Sequence, residues 1–299
     1  MNAPNPERRP RVALLIDIPN WAFHTIARAI EQYLGDRFAF TTLIKDDYPT
    51  IDEDRFDIIH IFYEFEDYHR QFLTGKAKVI RSVYSHYWDF ERKCTPMQLY
   101  QRSLNDADAI IVPSVRLFHA LKGLPPPLFL FAEGVDTVFY RHTKPRTGPL
   151  TVGWAGKDAP IKRLDMLRSA CNGVCDLNIA DGSLSPEAML AFYNGIDVIA
   201  CTSFAEGCPR PLIEAMACGA FPVSFDVGIA PEVICSGQNG IIVERQSAEA
   251  FREALLWCRD HLDAVRGTWR LNVERIRSTR DWKNTTAHLA DIYYALLTQ

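Results

Sequence analysis

Long apolar runs are missing from this sequence. No uncharged hydrophobic stretch approaches the ~18 residues that a bilayer-spanning helix needs, so no transmembrane helix is expected. The run Val12–Ile16 near the start is too short for the apolar segment of a signal peptide. A basic excess is missing too: 33 Lys and Arg stand against 37 Asp and Glu, a formal net charge of −4. A general nucleic-acid binder normally carries the opposite balance, so no nucleic-acid partner is expected. The 8 cysteines are scattered, and Cys171 and Cys175 have no second pair at zinc-ligand spacing. Reduced, mostly buried thiols and a cytoplasmic setting are the expectation. No internal repeat or low-complexity tract occurs. No Gly-x-Gly-x-x-Gly follows the first apolar strand, which sets aside a dinucleotide-binding dehydrogenase.

What is present is a chain of 299 residues, 47% hydrophobic and 23% charged, the profile of about two globular domains. Short apolar runs alternate with helical spacing. Val12–Asp17, Asp57–Phe62, Lys78–Val83 and Ala109–Ser114 read as buried strands, and Ala22–Leu34, Gln98–Ala107 and Val115–Lys122 as helices. The proline-rich stretches Leu124–Pro127 and Thr143–Pro149 read as a domain exit and linker. Strands resume at Leu150–Trp154, Asp197–Thr202, Phe221–Phe225 and Gly240–Val243. Helices are expected from Ser185-Pro186 and over Pro211–Cys218, Ala248–Arg259 and Thr285–Leu297. The expected class is α/β, with two doubly wound, Rossmann-like domains facing each other across a cleft.

Ligands of such sheets sit beyond the carboxyl ends of the strands. The richest loop there runs from Thr202 through Glu206, Gly207, Cys208, Pro209 and Arg210 to Glu214. It leaves a strand, turns at Gly207 and enters a helix whose free N–H groups and partial positive charge favour a phosphate. Glu206 and Glu214 bracket that helix start, where carboxylates can accept hydrogen bonds from ligand hydroxyls. Read blandly, they are a solvated loop acid and a helix-start charge.

Glu206, seven residues, then Glu214, continuing Ala-Met-Ala-Cys-Gly219 with Pro222, Pro231-Glu232-Val and Asn239–Val243, closely resembles the signature of the retaining group 1 (family four) glycosyltransferases. Glu133-Gly-Val-Asp136 with Phe139, Asn105–Ser114, Trp282 and Tyr293–Leu297 extend the resemblance. It implies the GT-B fold: a first domain over 1–145 on the acceptor side, and a nucleotide-sugar-binding domain over 146–281. The helix 282–299 would pack back on the first domain. It also implies a role for each matching residue. Glu214 would hold the ribose hydroxyls and Glu206 a hydroxyl of the transferred sugar. Backbone N–H groups around Gly207, Cys208 and Arg210 would meet the sugar and diphosphate. Lys162 matches the family lysine that neutralises the diphosphate. The arginine expected directly after Gly153 is replaced by Trp154, leaving Lys157 or Arg163 to supply a second charge. Pro209, which has no N–H, stands where many relatives have glycine. Between Leu177 and Ser185 the chain is short of a strand–helix unit that many relatives have.

In the first domain His86 resembles the family histidine that touches the donor sugar, while His60 reads as a satisfied strand residue. The loop Asp17–Trp21 lacks the paired glycines of many relatives, and Asn20 and Trp21 are candidate acceptor contacts. Two Asp-x-Asp triplets, Asp52/Asp54 and Asp106/Asp108, read as surface or structural acids rather than a metal site; neither metal nor cofactor is expected. The basic run from Arg266 to Lys283 reads as a solvated helix face, with peripheral contact at the inner face of a membrane as the alternative. The implied activity is metal-independent, retaining hexosyl transfer from a nucleotide sugar, UDP favoured over GDP. The acceptor would be a glycan, a lipid-linked species or another acceptor in surface polysaccharide or glycoconjugate synthesis. The competing reading is a catalytically weak glycosyltransferase-like binding subunit. A phosphorylase or sugar-nucleotide epimerase on the same fold is a further competitor.

Overall fold

The computed structural model describes residues 8–47, 50–63 and 73–298, with only the backbone of Phe90. The chain forms two compact units, residues 1–133 with 282–299, and residues 134–281.

The first unit holds a parallel sheet of β1 (Arg11–Ile16), β2 (Ala39–Ile44), β3 (Ile58–Ile61), β4 (Lys78–Ser82), β5 (Ala109–Val112) and β6 (Leu128–Leu130) in the order β2-β1-β3-β4-β5-β6. β1 pairs with β3 from Val12 opposite Ile58. Being covered on both faces, it is apolar from Val12 to Ile16. Val12, Leu14 and Ile16 enter one core with Ile26, Ile30, Leu289, Tyr293 and Leu296. Ala13 and Leu15 enter the opposite core with Phe56, Ile59 and Ile61. The C-terminal helix Trp282–Leu297 therefore completes one of the two cores of this unit.

The second unit holds β7 (Thr151–Ala155), β8 (Asp176–Ala180), β9 (Val198–Cys201), β10 (Phe221–Phe225) and β11 (Ile241–Val243), all parallel, in the order β11-β10-β9-β7-β8. Strand order reverses between β7 and β9. A ligand crevice is expected there, outside their carboxyl ends. The loops that open at that point are Gly156–Arg163 and Thr202–Pro209.

The unit boundary lies at Glu133/Gly134 rather than at 145, for a local reason. Val135 N–H donates to Arg280 O at 2.7 Å. Thr143 N–H donates to Asn194 Oδ1 at 2.8 Å, and the Tyr140 and Tyr193 ring centroids lie 5.8 Å apart. The Arg146 guanidinium donates to the carbonyls of Gly219, Tyr193 and Cys218. The proline-rich stretch that reads as a linker is thus tied into the second unit. β2, β6 and β8, outside the expected strands, are edge strands or neighbours of prolines, with half-exposed residues. Within 98–107 the helix expected is a short α-turn, Pro96–Leu99, followed by a wider π-turn over Tyr100–Leu104.

Candidate active site

At the reversal point the two loops are tied together by their backbones. Phe204 N–H donates to Ile161 O at 2.8 Å, and Thr202 Oγ1 donates to Lys162 O at 2.8 Å. Lys162 is thereby fixed beside the loop after β9, and its ammonium group makes an ion pair with Glu206 Oε1. Ser203 Oγ donates to the same oxygen at 2.7 Å. Gly228, at φ +48°, keeps the neighbouring turn close: Ile229 N–H donates to Gly207 O at 3.0 Å. A side chain at 228 would collide with the Gly207 carbonyl and stand 3.0 Å from Glu206 O. Glycine there is what lets the turn of Glu206 and Gly207 close over its neighbour.

The helix that follows, Arg210–Ala217, begins after Pro209 and carries no acid in its first turn. Its N-terminal partial charge is thus left uncompensated by its own side chains. Glu214, on its second turn, is 8% exposed. Arg210 Nη2 donates to Glu214 Oε1 at 3.0 Å, and Tyr193 Oη donates to Oε2 at 2.8 Å. Burial and the adjacent carboxylate push the Tyr193 hydroxyl well above its ordinary pKa, so it stays a proton donor. Tyr193 lies outside the sequence motif. Its distance from Glu214 along the chain hides it, and only the packing of helix Pro186–Asn194 brings it in.

Other expected residues lie elsewhere. Gly153 is not at the loop: it sits inside β7, and a Cβ there would overlap Ile196 and approach Phe192 Cζ to 3.0 Å. Its lack of a side chain serves packing inside the strand. Trp154, where an arginine was expected, is buried in the core of this unit. Arg163, at φ 53°, places its guanidinium 4.7 Å from the Phe204 ring centre and donates to Gln246 Oε1 at 3.1 Å. Lys157 is exposed on the loop after β7, and Cys208 is half-buried against the core of this unit.

In the first unit His86 precedes the short helix Tyr87–Phe90. Its Nε2 is buried without a hydrogen-bond partner among the described residues. Burial first, then Arg116, lower its pKa, so the ring is neutral at pH 7. Asn20 adopts φ 62°, a left-handed conformation that asparagine tolerates, and its Oδ1 accepts from Arg28 Nη2 at 3.0 Å. The neighbouring Trp21 is 52% exposed at the start of helix Ala22–Leu34. His60 is wholly buried, with Nδ1 2.8 Å from Tyr293 Oη and Nε2 2.7 Å from Ser82 Oγ.

The acidic triplets have structural partners. Asp106 accepts from Arg81 at 2.7 and 3.1 Å, Asp108 accepts from Val79 N–H at 2.8 Å, and Asp54 pairs with Lys76. Among the described residues no group of three or more His, Cys, Asp or Glu is placed to hold a metal. Much of the basic run is also engaged. Arg266 pairs with Asp197, Arg280 pairs with Glu232, and Arg275 donates to the Glu232 carbonyl. No described helix is long and apolar enough to cross a membrane.

Two parallel-sheet α/β units of this kind make the GT-B fold, the architecture of a large class of glycosyltransferases. Sucrose-phosphate synthase from Thermosynechococcus elongatus superposes with a TM-score of 0.78 at 14% identity, over 97% of this chain and 100% of that one. Anabaena HepE, solved with UDP and glucose, gives 0.71 at 13%, over 96% and 100%. Residues 180–260 match the family model of group 1 glycosyl transferases. Over 108 residues the chain is 30% identical to D-inositol 3-phosphate glycosyltransferase of Corynebacterium glutamicum, covering 36% of this chain and 26% of that protein. It is 26% identical over 144 residues to GDP-mannose:cellobiosyl-diphosphopolyprenol alpha-mannosyltransferase of Xanthomonas oryzae, covering 48% and 38%. The chain thus matches well under half the length of these curated relatives. The family match and the fold together support the group 1 glycosyltransferases.

Proposed function

We propose that this chain is a retaining, metal-independent glycosyltransferase that takes a hexosyl group from a nucleotide diphosphate, UDP favoured over GDP. The observation that carries the reading is the meeting of Lys162 and Glu206 at the β7/β9 reversal point, directly before a helix start that leads to the buried Glu214. Lys162 and the helix start face the diphosphate, Glu206 takes a hydroxyl of the sugar and Glu214 takes the ribose hydroxyls. Gly207, Cys208 and Arg210 contribute backbone N–H groups, and Lys157 a second charge. Preorganised positive charge stabilises the diphosphate as it departs. The acceptor hydroxyl attacks the anomeric carbon from the face the diphosphate leaves, and a phosphate oxygen takes its proton. The neutral His86 ring hydrogen-bonds a donor hydroxyl, and Asn20 and Trp21 serve the acceptor side. The UDP in the HepE structure supports a uridine donor, while the mannosyltransferase relative, named for GDP-mannose, makes GDP the runner-up. That relative's diphosphopolyprenol acceptor supports a glycan or lipid-linked acceptor, reached by a cytoplasmic enzyme at the membrane face.

A thermal-shift panel of UDP, GDP, ADP and dTDP tests the reading, followed by donor hydrolysis with the sugar nucleotides of any hit. Stabilisation by one diphosphate, lost in Glu214→Ala, is the expected result. No stabilisation by any of the four overturns the enzyme assignment in favour of a binding subunit. Equal binding by Glu214→Ala overturns the site.

A further inference from the structure

Glu214 is a carboxylate whose two oxygens are both already held by the protein. Arg210 holds Oε1 and Tyr193 holds Oε2, at 3.0 and 2.8 Å. A free carboxylate turns readily about its last torsion, which has broad, two-fold minima. One donor on each oxygen stops that rotation. Each oxygen of an ionised carboxylate offers about two lone-pair sites. One therefore remains on each oxygen, in a carboxylate plane held fixed by the two donors. Such a pair matches two hydroxyls on adjacent carbons, each donating to one oxygen.

We propose that Tyr193 is a positioning residue: it fixes Glu214 to accept both hydroxyls of a ribose 2′,3′-diol, and so makes the site select ribonucleotides over 2′-deoxyribonucleotides. This rests on the assignment of Glu214 to the ribose of the donor. Selection follows because a desolvated acceptor is left unpaired when one hydroxyl is missing. A carboxylate free to turn finds another arrangement and discriminates less. Tyr193 reaches Glu214 from a separate helix and is itself 0% exposed. Its ring packs against Tyr140 and Phe192, with centroids 5.8 and 5.4 Å away. Tyr193→Phe keeps that packing and removes only the hydroxyl.

Calorimetric titration of the wild-type chain and Tyr193→Phe with UDP and 2′-deoxy-UDP tests the proposal, with the GDP pair substituted if the panel selects GDP. The wild type is expected to prefer the ribonucleotide about tenfold or more. Tyr193→Phe is expected to bring that ratio to about threefold or less. In a Glu214→Gln background the same substitution is expected to leave the ratio unmoved. Equal weakening of both nucleotides, with the ratio kept, marks a merely structural tyrosine and overturns the proposal. A wild type that binds UDP without preference overturns it as well. If the wild type binds neither diphosphate, the nucleotide-site reading itself has failed, a result distinct from both.

Discussion

Substituting Gly228 by alanine perturbs the donor site without replacing any residue assigned to the ligand. The added Cβ would collide with the Gly207 carbonyl oxygen and lie 2.8 Å from Gly207 C and 3.0 Å from Glu206 O. Ordinary carbon contacts begin near ~3.5 Å, so the turn at Glu206 and Gly207 must retreat by roughly 1 Å. Overpacking of that kind costs about 1–3 kcal/mol, and the left-handed φ of +48° adds about 1 kcal/mol for a residue with a side chain. For a chain of this size that corresponds to a melting temperature lowered by roughly 5 °C or more. A misplacement of ~1 Å at a reacting group can cost on the order of 100-fold, so UDP affinity is expected to fall at least tenfold. Gly237→Ala is the control: its φ is +82°, yet nothing lies within 4 Å of the added atom. It shares the backbone cost without the collision, so calorimetry should find UDP affinity unchanged. Equal UDP affinity in Gly228→Ala and wild type would refute the claim that this contact shapes the site.

Gly153→Ala is expected to lower stability by about 1–3 kcal/mol through overlap with Ile196, and Ile196→Val in the same chain to recover part of it; urea unfolding of the four variants gives the coupling. Independence of the two sites would contradict the packing role. Lys162→Ala should weaken UDP about tenfold or more while barely affecting uridine, because the lost charge faces the diphosphate; a uniform loss across both ligands would place Lys162 elsewhere. Burial lowers the His60 pKa to about 3, so the native state refuses a proton that the unfolded chain accepts near 6.5. Stability should therefore fall as pH drops below about 6.5, by up to ~1.4 kcal/mol per unit, or roughly 2 kcal/mol by pH 5. Imidazole NMR checks it: a His60 midpoint near 6.5 in the native state would be incompatible. EDTA should leave nucleotide binding unchanged, and a loss restored by Mg²⁺ or Mn²⁺ would reopen the assignment of the aspartate triplets.

The buried parallel strands were legible because burial on both faces demands a continuous apolar run, as in Val12–Ile16 and Val198–Cys201. β8 was not, because an edge strand alternates: Leu177 is half-buried while Asp176, Asn178 and Ile179 are exposed. The loop from Thr202 to Glu214 stood out because glycine, proline and two acids crowd one strand-to-helix junction. Tyr193 carried no such mark, since only tertiary packing joins it to Glu214. The packing role of Gly153 was hidden for a related reason. A glycine beside a ligand loop and a glycine beneath an isoleucine are identical in sequence, and only the position of Ile196 separates them.

The helix Trp282–Leu297 has a consequence for synthesis. The ribosome makes the sheet of the first unit before residues 134–281, but Leu289, Tyr293 and Leu296, which seal one of its faces, are made after them. Residues 134–281 emerge between the two halves of that core and can fold first. Until the helix Trp282–Leu297 arrives, His60 lacks its Tyr293 partner and Val12, Leu14 and Ile16 lack part of their cover. A nascent chain stalled before residue 282 therefore carries one finished body and one open sheet, which makes the unit begun first the last to close.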